Sequence, residues 1–139
     1  MRPVIRQIFV NLPIRDMARS RAFFEALGFT FDPRFTNADG ACLQIAPDIY
    51  AMLLLEPFFQ GYTHLPVADA RQATEVLVAL SCDTRDEVEA LVRRAVAAGA
   101  TTPNPPKDYG FMYQHGFADP DGHLWEVFYM DEHAAPAQM

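Results

Sequence analysis

The second half of this chain repeats the first, and that repeat limits what it can fold into more than any other feature. Leu54-Leu-Glu-Pro-Phe-Phe59 corresponds to Leu124-Trp-Glu-Val-Phe-Tyr129, and Val10-Asn-Leu12 corresponds to Val78-Ala-Leu80. Each Val-x-Leu segment leads into an Asp that can cap a helix, Asp16 and Asp83, and the helices stop at matching glycines, Gly28 and Gly99. The offset between the halves stays between 67 and 71 residues. A chain built this way holds two copies of one supersecondary unit, and each copy has to bury an apolar face.

Local patterning says what the unit is. Residues 4–12 (VIRQIFVNL) read as a strand of branched and apolar residues with polar ones interspersed. Asp16 caps a helix expected over about 17–27, with Met17, Ser20, Phe23, Phe24 and Leu27 as its stripe and Gly28 as its stop. Short strands follow near 29–34, 40–46 and 49–56, divided by turn signals at Asn37-Ala-Asp-Gly40 and Pro47-Asp48. Residues 57–73 keep no period and read as a linker or flap. The order then restarts with a strand at 74–82 and a helix from Asp83 or Thr84 to about 98, where Val88, Leu91, Val92, Ala95 and Val96 share one face. Strands near 100–103, 110–118 and 123–130 complete it, with turns at Pro103-Asn-Pro-Pro106 and Asp119-Pro-Asp-Gly122. The expected fold is a single α+β domain over 1–139. It has one βαβββ module at about 4–59, a linker or flap at about 60–73, a second module at about 74–131 and a tail at 132–139.

Composition narrows the function classes. A net charge of −7, without a cluster of Lys and Arg, argues against nucleic-acid binding. No window approaches the roughly 20 apolar residues of a membrane span. The N-terminal stretch, broken by Arg6, Gln7 and Asn11, lacks the pattern of a signal peptide. Cys42 and Cys82 lie in separate strand-like segments and do not suggest a disulfide framework. A cytoplasmic location is expected. Eleven Phe and five Tyr exceed what a minimal core of this size needs, so some rings are candidates for a pocket wall and others for extra core packing.

FVNLPIRDMARSRAFFEALGF resembles the opening strand and helix of the vicinal oxygen chelate superfamily, which holds glyoxalase I, extradiol dioxygenases and bleomycin-resistance proteins. FADPDGHLWEVFYMD resembles its closing hairpin. LLEPFF, VALSCDTRDEVE and GFMY further resemble a bacterial subfamily described as predicted lactoylglutathione lyases. The resemblance runs over about residues 4–131. It implies two βαβββ modules whose eight strands form a cupped mixed sheet around a cavity, usually in a homodimer.

It also implies where a metal would sit. In metal-using members, the first strand of each module gives a His and the last strand a carboxylate, with donors about 2.0–2.2 Å from one divalent ion. Carried over here, the last-strand positions fall on Glu126, seven residues after Asp119, and on its repeat partner Glu56. The first-strand positions fall on Phe9 and Leu77, which have no lone pairs. A shifted register could instead bring in Gln7 or Asn11, and His115 is another candidate donor, from the strand before the Asp119 turn. The pocket candidates are Gln7, Phe9, Asn11, Leu77, Tyr113, His115 and Phe58. Tyr113 and His115 share a strand face with Phe111 and Phe117, and that face can point into the cup or away from it. His123 in its turn and His133 in the tail are expected at the surface, and His64 in the flap or a plain loop. Trp125, alternating with Glu126, is expected to pack in the core.

Two functions follow from the resemblance. One is a protein that binds a small aromatic or apolar molecule in the cup, with no cofactor. The other is a glyoxalase I-type lyase or isomerase using Zn, Ni, Mn or Mg with an atypical ligand set. A ring-cleaving dioxygenase is the weakest reading, because its iron needs two His that these positions lack.

Overall fold

A computed structural model describes residues 1–133, so the expected tail lies outside the described residues from 134 on. The chain divides into two compact units, Met1–Ala68 and Asp69 onward. The boundary falls inside the expected linker.

The first unit runs β1 (Ile8–Ile14), α1 (Met17–Ala26), β2 (Thr30–Phe31), a 3₁₀ turn (Pro33–Phe35), β3 (Gly40–Ala46), β4 (Ile49–Leu55) and α2 (Glu56–Gln60). Its sheet has the order β1-β4-β3-β2, with β1 parallel to β4 and the other pairs antiparallel. The second unit runs β5 (Leu77–Cys82), α3 (Arg85–Ala97), β6 (Lys107–Asp108), β7 (Met112–Ala118) and β8 (Leu124–Met130), in the equivalent order β5-β8-β7-β6. The eight strands therefore form two four-stranded mixed sheets of one topology, as an α+β fold of two βαβββ modules requires.

Local chemistry explains the helices. Asp16 accepts from the Arg19 N–H and caps α1. Thr84, not Asp83, caps α3: its hydroxyl accepts from the Glu87 N–H and donates to the Glu87 carboxylate. Gly28 and Gly99 follow the two helices at φ 102° and 109°, where a side chain would be strained. Phe23 and Phe24 of α1 are buried, as are Val88, Val92 and Ala95 of α3. The second core closes around Phe117, Trp125 and Val127, the first around Leu12, Ile14, Leu43 and Leu53.

Several expectations need correction. β1 begins at Ile8, so residues 4–7 lie before it and Gln7 stands outside the strand. The second strand stops at Phe31, because Pro33 opens the 3₁₀ turn. Residues 74–76 precede β5. Near 100–103 only Thr101 bridges, to Ala118, and the short second strand of this module falls at Lys107–Asp108 instead. The fourth strand ends at Leu55, because Pro57 has no N–H for a ladder and suits the first turn of α2. Phe58 and Phe59 are thus helical rather than a continuation of the strand.

Candidate functional site

Alternation along the strands gives each sheet two faces, and the ladders say which residues share one. In the second unit Glu126 lies opposite Ala79 on β5 and Gly116 on β7. The neighbouring pairs, Leu77 with Leu124 and Gln114 with Phe128, point the same way. Tyr113, His115 and Phe117 belong to the other face, with Trp125 and Val127. That other face is the one α3 covers: the Arg85 guanidinium sits 4.0 Å from the Tyr113 ring centroid. Tyr113 and His115 also line a groove of about 580 Å³ with Glu89, Val92, Arg93 and Val96 of α3. Tyr113 and His115 are therefore not brought together with Glu126. Burial, and then the nearby Glu89 carboxylate, push the Tyr113 phenol up from its ordinary value.

The Glu126 carboxylate has a built place. A Cβ on Gly116 would come within 2.9 Å of Glu126 Oε2 and 2.7 Å of the Trp125 carbonyl, so glycine at 116 is what leaves room for it. Gln114 Nε2 donates to Glu126 Oε2 at 3.4 Å. Around this pair stand Leu77, which is 55% exposed, Ala79 and Phe128.

In the first unit, Arg21 of α1 lies over the ring of Phe31, which pairs with Leu43. The face carrying Leu43, Ala51, Leu53 and Leu12 is thus the helix side, and Phe9, Asn11, Tyr50 and Met52 point the other way. Phe9 stacks on Tyr50, with ring centroids 4.8 Å apart and planes 14° from parallel. The Asn11 side chain donates to the Phe9 carbonyl at 3.1 Å.

The ladders also change the repeat alignment. The caps Asp16 and Thr84 are equivalent, which matches Asn11 with Ala79. Asn11 pairs with Met52 and Ala79 pairs with Glu126, so the counterpart of Glu126 is Met52, not Glu56. Glu56 lies beyond the end of β4, opens α2, and pairs with Arg15 at 3.2 Å. The shared Leu-x-Glu letters are a coincidence of sequence placed in different structural positions.

This donor set does not fit a four-ligand divalent cage. Phe9 and Leu77 offer carbon, Met52 a weak thioether, and Glu56 a carboxylate already bound to a guanidinium. Gln7 is outside β1, the Asn11 amide is bonded to backbone, and His115 faces α3. Among the described residues no group of three or more His, Cys, Asp or Glu is placed to hold a metal ion.

Other candidates resolve individually. Phe58, 42% exposed, meets Tyr62 edge-on on α2 and its following turn. His64 and His133 are exposed. His123, expected at the surface, is buried: its backbone N–H donates to Asp119 Oδ1, and its carbonyl accepts from the Asp119 N–H. Trp125 is buried as expected, stacked on Phe117. Burial pushes both cysteine thiols up, which leaves them weak nucleophiles at neutral pH. Gly116 and Gln114 were missed by sequence reading; the only signal was a glycine inside a strand pattern, which marks a close approach.

No curated protein matches the chain. Solved structures do. A hypothetical protein from S. aureus is 26% identical with a TM-score of 0.78, over 91% of this chain and 95% of that one. A glyoxalase-related enzyme from Fulvimarina pelagi is 26% identical with a TM-score of 0.75, over 90% and 88%. An antibiotic-binding protein from a Streptomyces species, TnmS3, shares the fold at 22% identity and a TM-score of 0.65, over 94% and 99%. The model of the Glyoxalase/Bleomycin resistance protein/Dioxygenase superfamily matches residues 6–127, nearly the whole of both modules. With the repeated βαβββ topology and that match over both halves, the chain belongs to this superfamily.

Proposed function

We propose that this protein binds a small aromatic or apolar molecule on the sheet faces turned away from α1 and α3, in the manner of the family's antibiotic-binding members, without a four-ligand metal cage. The carrying observation is what stands at the ligand positions. Phe9 is stacked on Tyr50 and still 40% exposed, and Leu77 is 55% exposed. Apolar side chains held open to water at the start of β1 and of β5 favour an apolar guest over an ion. The register supports the same reading by giving Glu126 a Met52 counterpart. The protein acts as a cytoplasmic homodimer in this proposal. Among the described residues, no helix is long and apolar enough to cross a membrane.

A second reading, a metal-dependent lyase of the glyoxalase type, is favoured by one observation, the Glu126 carboxylate on the strand the family uses. A ring-cleaving dioxygenase finds no pair of imidazoles on these faces. The discriminating experiment is elemental analysis of protein purified without chelators, together with hemithioacetal turnover in the presence of added Ni, Zn, Mn or Mg. Substoichiometric metal and no turnover are expected. Stoichiometric metal that disappears in Glu126→Gln would overturn the binding-protein reading.

A further inference from the structure

Glu126 is an odd residue to leave on an apolar sheet face. It is only half-open to solvent, its flanking positions are Leu77, Ala79 and Phe128, and its one hydrogen-bond partner among the described residues is Gln114 at a long 3.4 Å. No Lys, Arg or His among the described residues is paired with it. Taking a carboxylate partly out of water without a cation is costly, and such groups are normally paired or strongly hydrogen-bonded. Three other carboxylates of the chain are paired. Glu56 holds Arg15, Asp108 holds Arg85, and Asp32 holds Arg34. Glycine at 116 nevertheless leaves room for the carboxylate, since a Cβ there would stand 2.9 Å from Glu126 Oε2.

We infer that Glu126 is the counter-ion for a cationic nitrogen on the ligand, so that the guest is an apolar or aromatic amine rather than a neutral or acidic molecule. This rests on the binding-protein reading above and adds the chemical class of the guest. An ammonium placed over Gly116 would complete the acceptor capacity that Gln114 leaves open, while the ring or chain of the same molecule covers Leu77 and Phe128. A charge-assisted hydrogen bond of this kind, in partly desolvated surroundings, is stronger than a neutral one. The protein's net charge of −7 also favours the approach of a cation over that of an anion.

Three probes of one shape test this: naphthylmethylamine, naphthylmethanol and naphthoate, titrated against isotope-labelled protein while the amide resonances of Gln114, Gly116 and Glu126 are followed. The amine should bind about tenfold or more tightly than the alcohol, the increment expected of one charged hydrogen bond. The naphthoate should bind weakest of the three. Glu126→Gln should bring the amine down to the alcohol's affinity and leave the alcohol unchanged, with an unaltered circular dichroism spectrum showing that the variant folds. If amine and alcohol bind alike at these resonances, or if Glu126→Gln keeps the preference, the counter-ion role falls while the binding-protein reading stands. If none of the three probes moves these resonances, both fall.

Discussion

The indole Nε1 of Trp125 donates to Asp119 Oδ2 at 3.0 Å, with both side chains buried. The second oxygen of the same carboxylate accepts the backbone N–H groups of Asp121 and His123. One side chain thus organises the turn between β7 and β8 and anchors it to the core ring that stacks on Phe117. Burial pushes the Asp119 carboxyl up from its ordinary value, opposed by His123 and by the hydrogen bond from Trp125.

Asp119→Ala removes the acceptor of three buried hydrogen bonds at once. Losing a hydrogen-bond partner inside the protein costs about 1–3 kcal/mol, so a loss of roughly 3 kcal/mol or more is expected. Urea denaturation read by fluorescence measures it, and the chain's single Trp is the reporting ring.

Tyr113 makes stability depend on alkaline pH. Its phenol is held above the ordinary value of 10.0, mainly by burial and then by Glu89. A group whose folded value is raised contributes stability that is complete below the unfolded value. That stability is lost as pH rises from about 10 through the folded value, because only the unfolded chain ionises readily there. Melting temperatures recorded across that range should fall for the wild type and fall less for Tyr113→Phe.

Gly116→Ala places a methyl 2.7 Å from the Trp125 carbonyl and 2.9 Å from Glu126 Oε2. The carboxylate can swing away, but the carbonyl belongs to the ladder and cannot. A destabilisation of about 1–3 kcal/mol is expected, as for other overpacked positions. Glu126→Ala in the same chain should recover only part of it by calorimetry.

Glu56→Ala removes an exposed pair with Arg15 and nothing else. Pairs of this kind contribute up to about 1 kcal/mol, so the chemical denaturation midpoint should hardly move. Metal content measured on the same sample should equal that of the wild type. A drop would restore Glu56 as a ligand.

Much of the fold was legible because it depends on short-range chemistry. Asp16, Gly28 and Gly99 act within one helical turn of where they stand, and the Asp119-Pro-Asp-Gly122 turn sits where its residues say. The misreadings came from non-local pairing. Identical letters at Leu-x-Glu suggested that Glu56 and Glu126 were equivalent, but β4 follows a much tighter turn than β8, and that shifts one strand against the other. His123 read as a surface turn residue because nothing nearby in sequence shows that Asp119 folds inward to meet Trp125.

The sequence by itself determined that two copies of one strand–helix–three-strand unit would form, because repeat, capping and turn signals are local and mutually consistent. Only the tertiary structure decided what the candidate site contains. A period of two tells which residues share a strand face, but which face a helix covers is settled by packing. That packing put Tyr113 and His115 against α3 and left Glu126 on the other side with Gln114, Gly116 and Leu77.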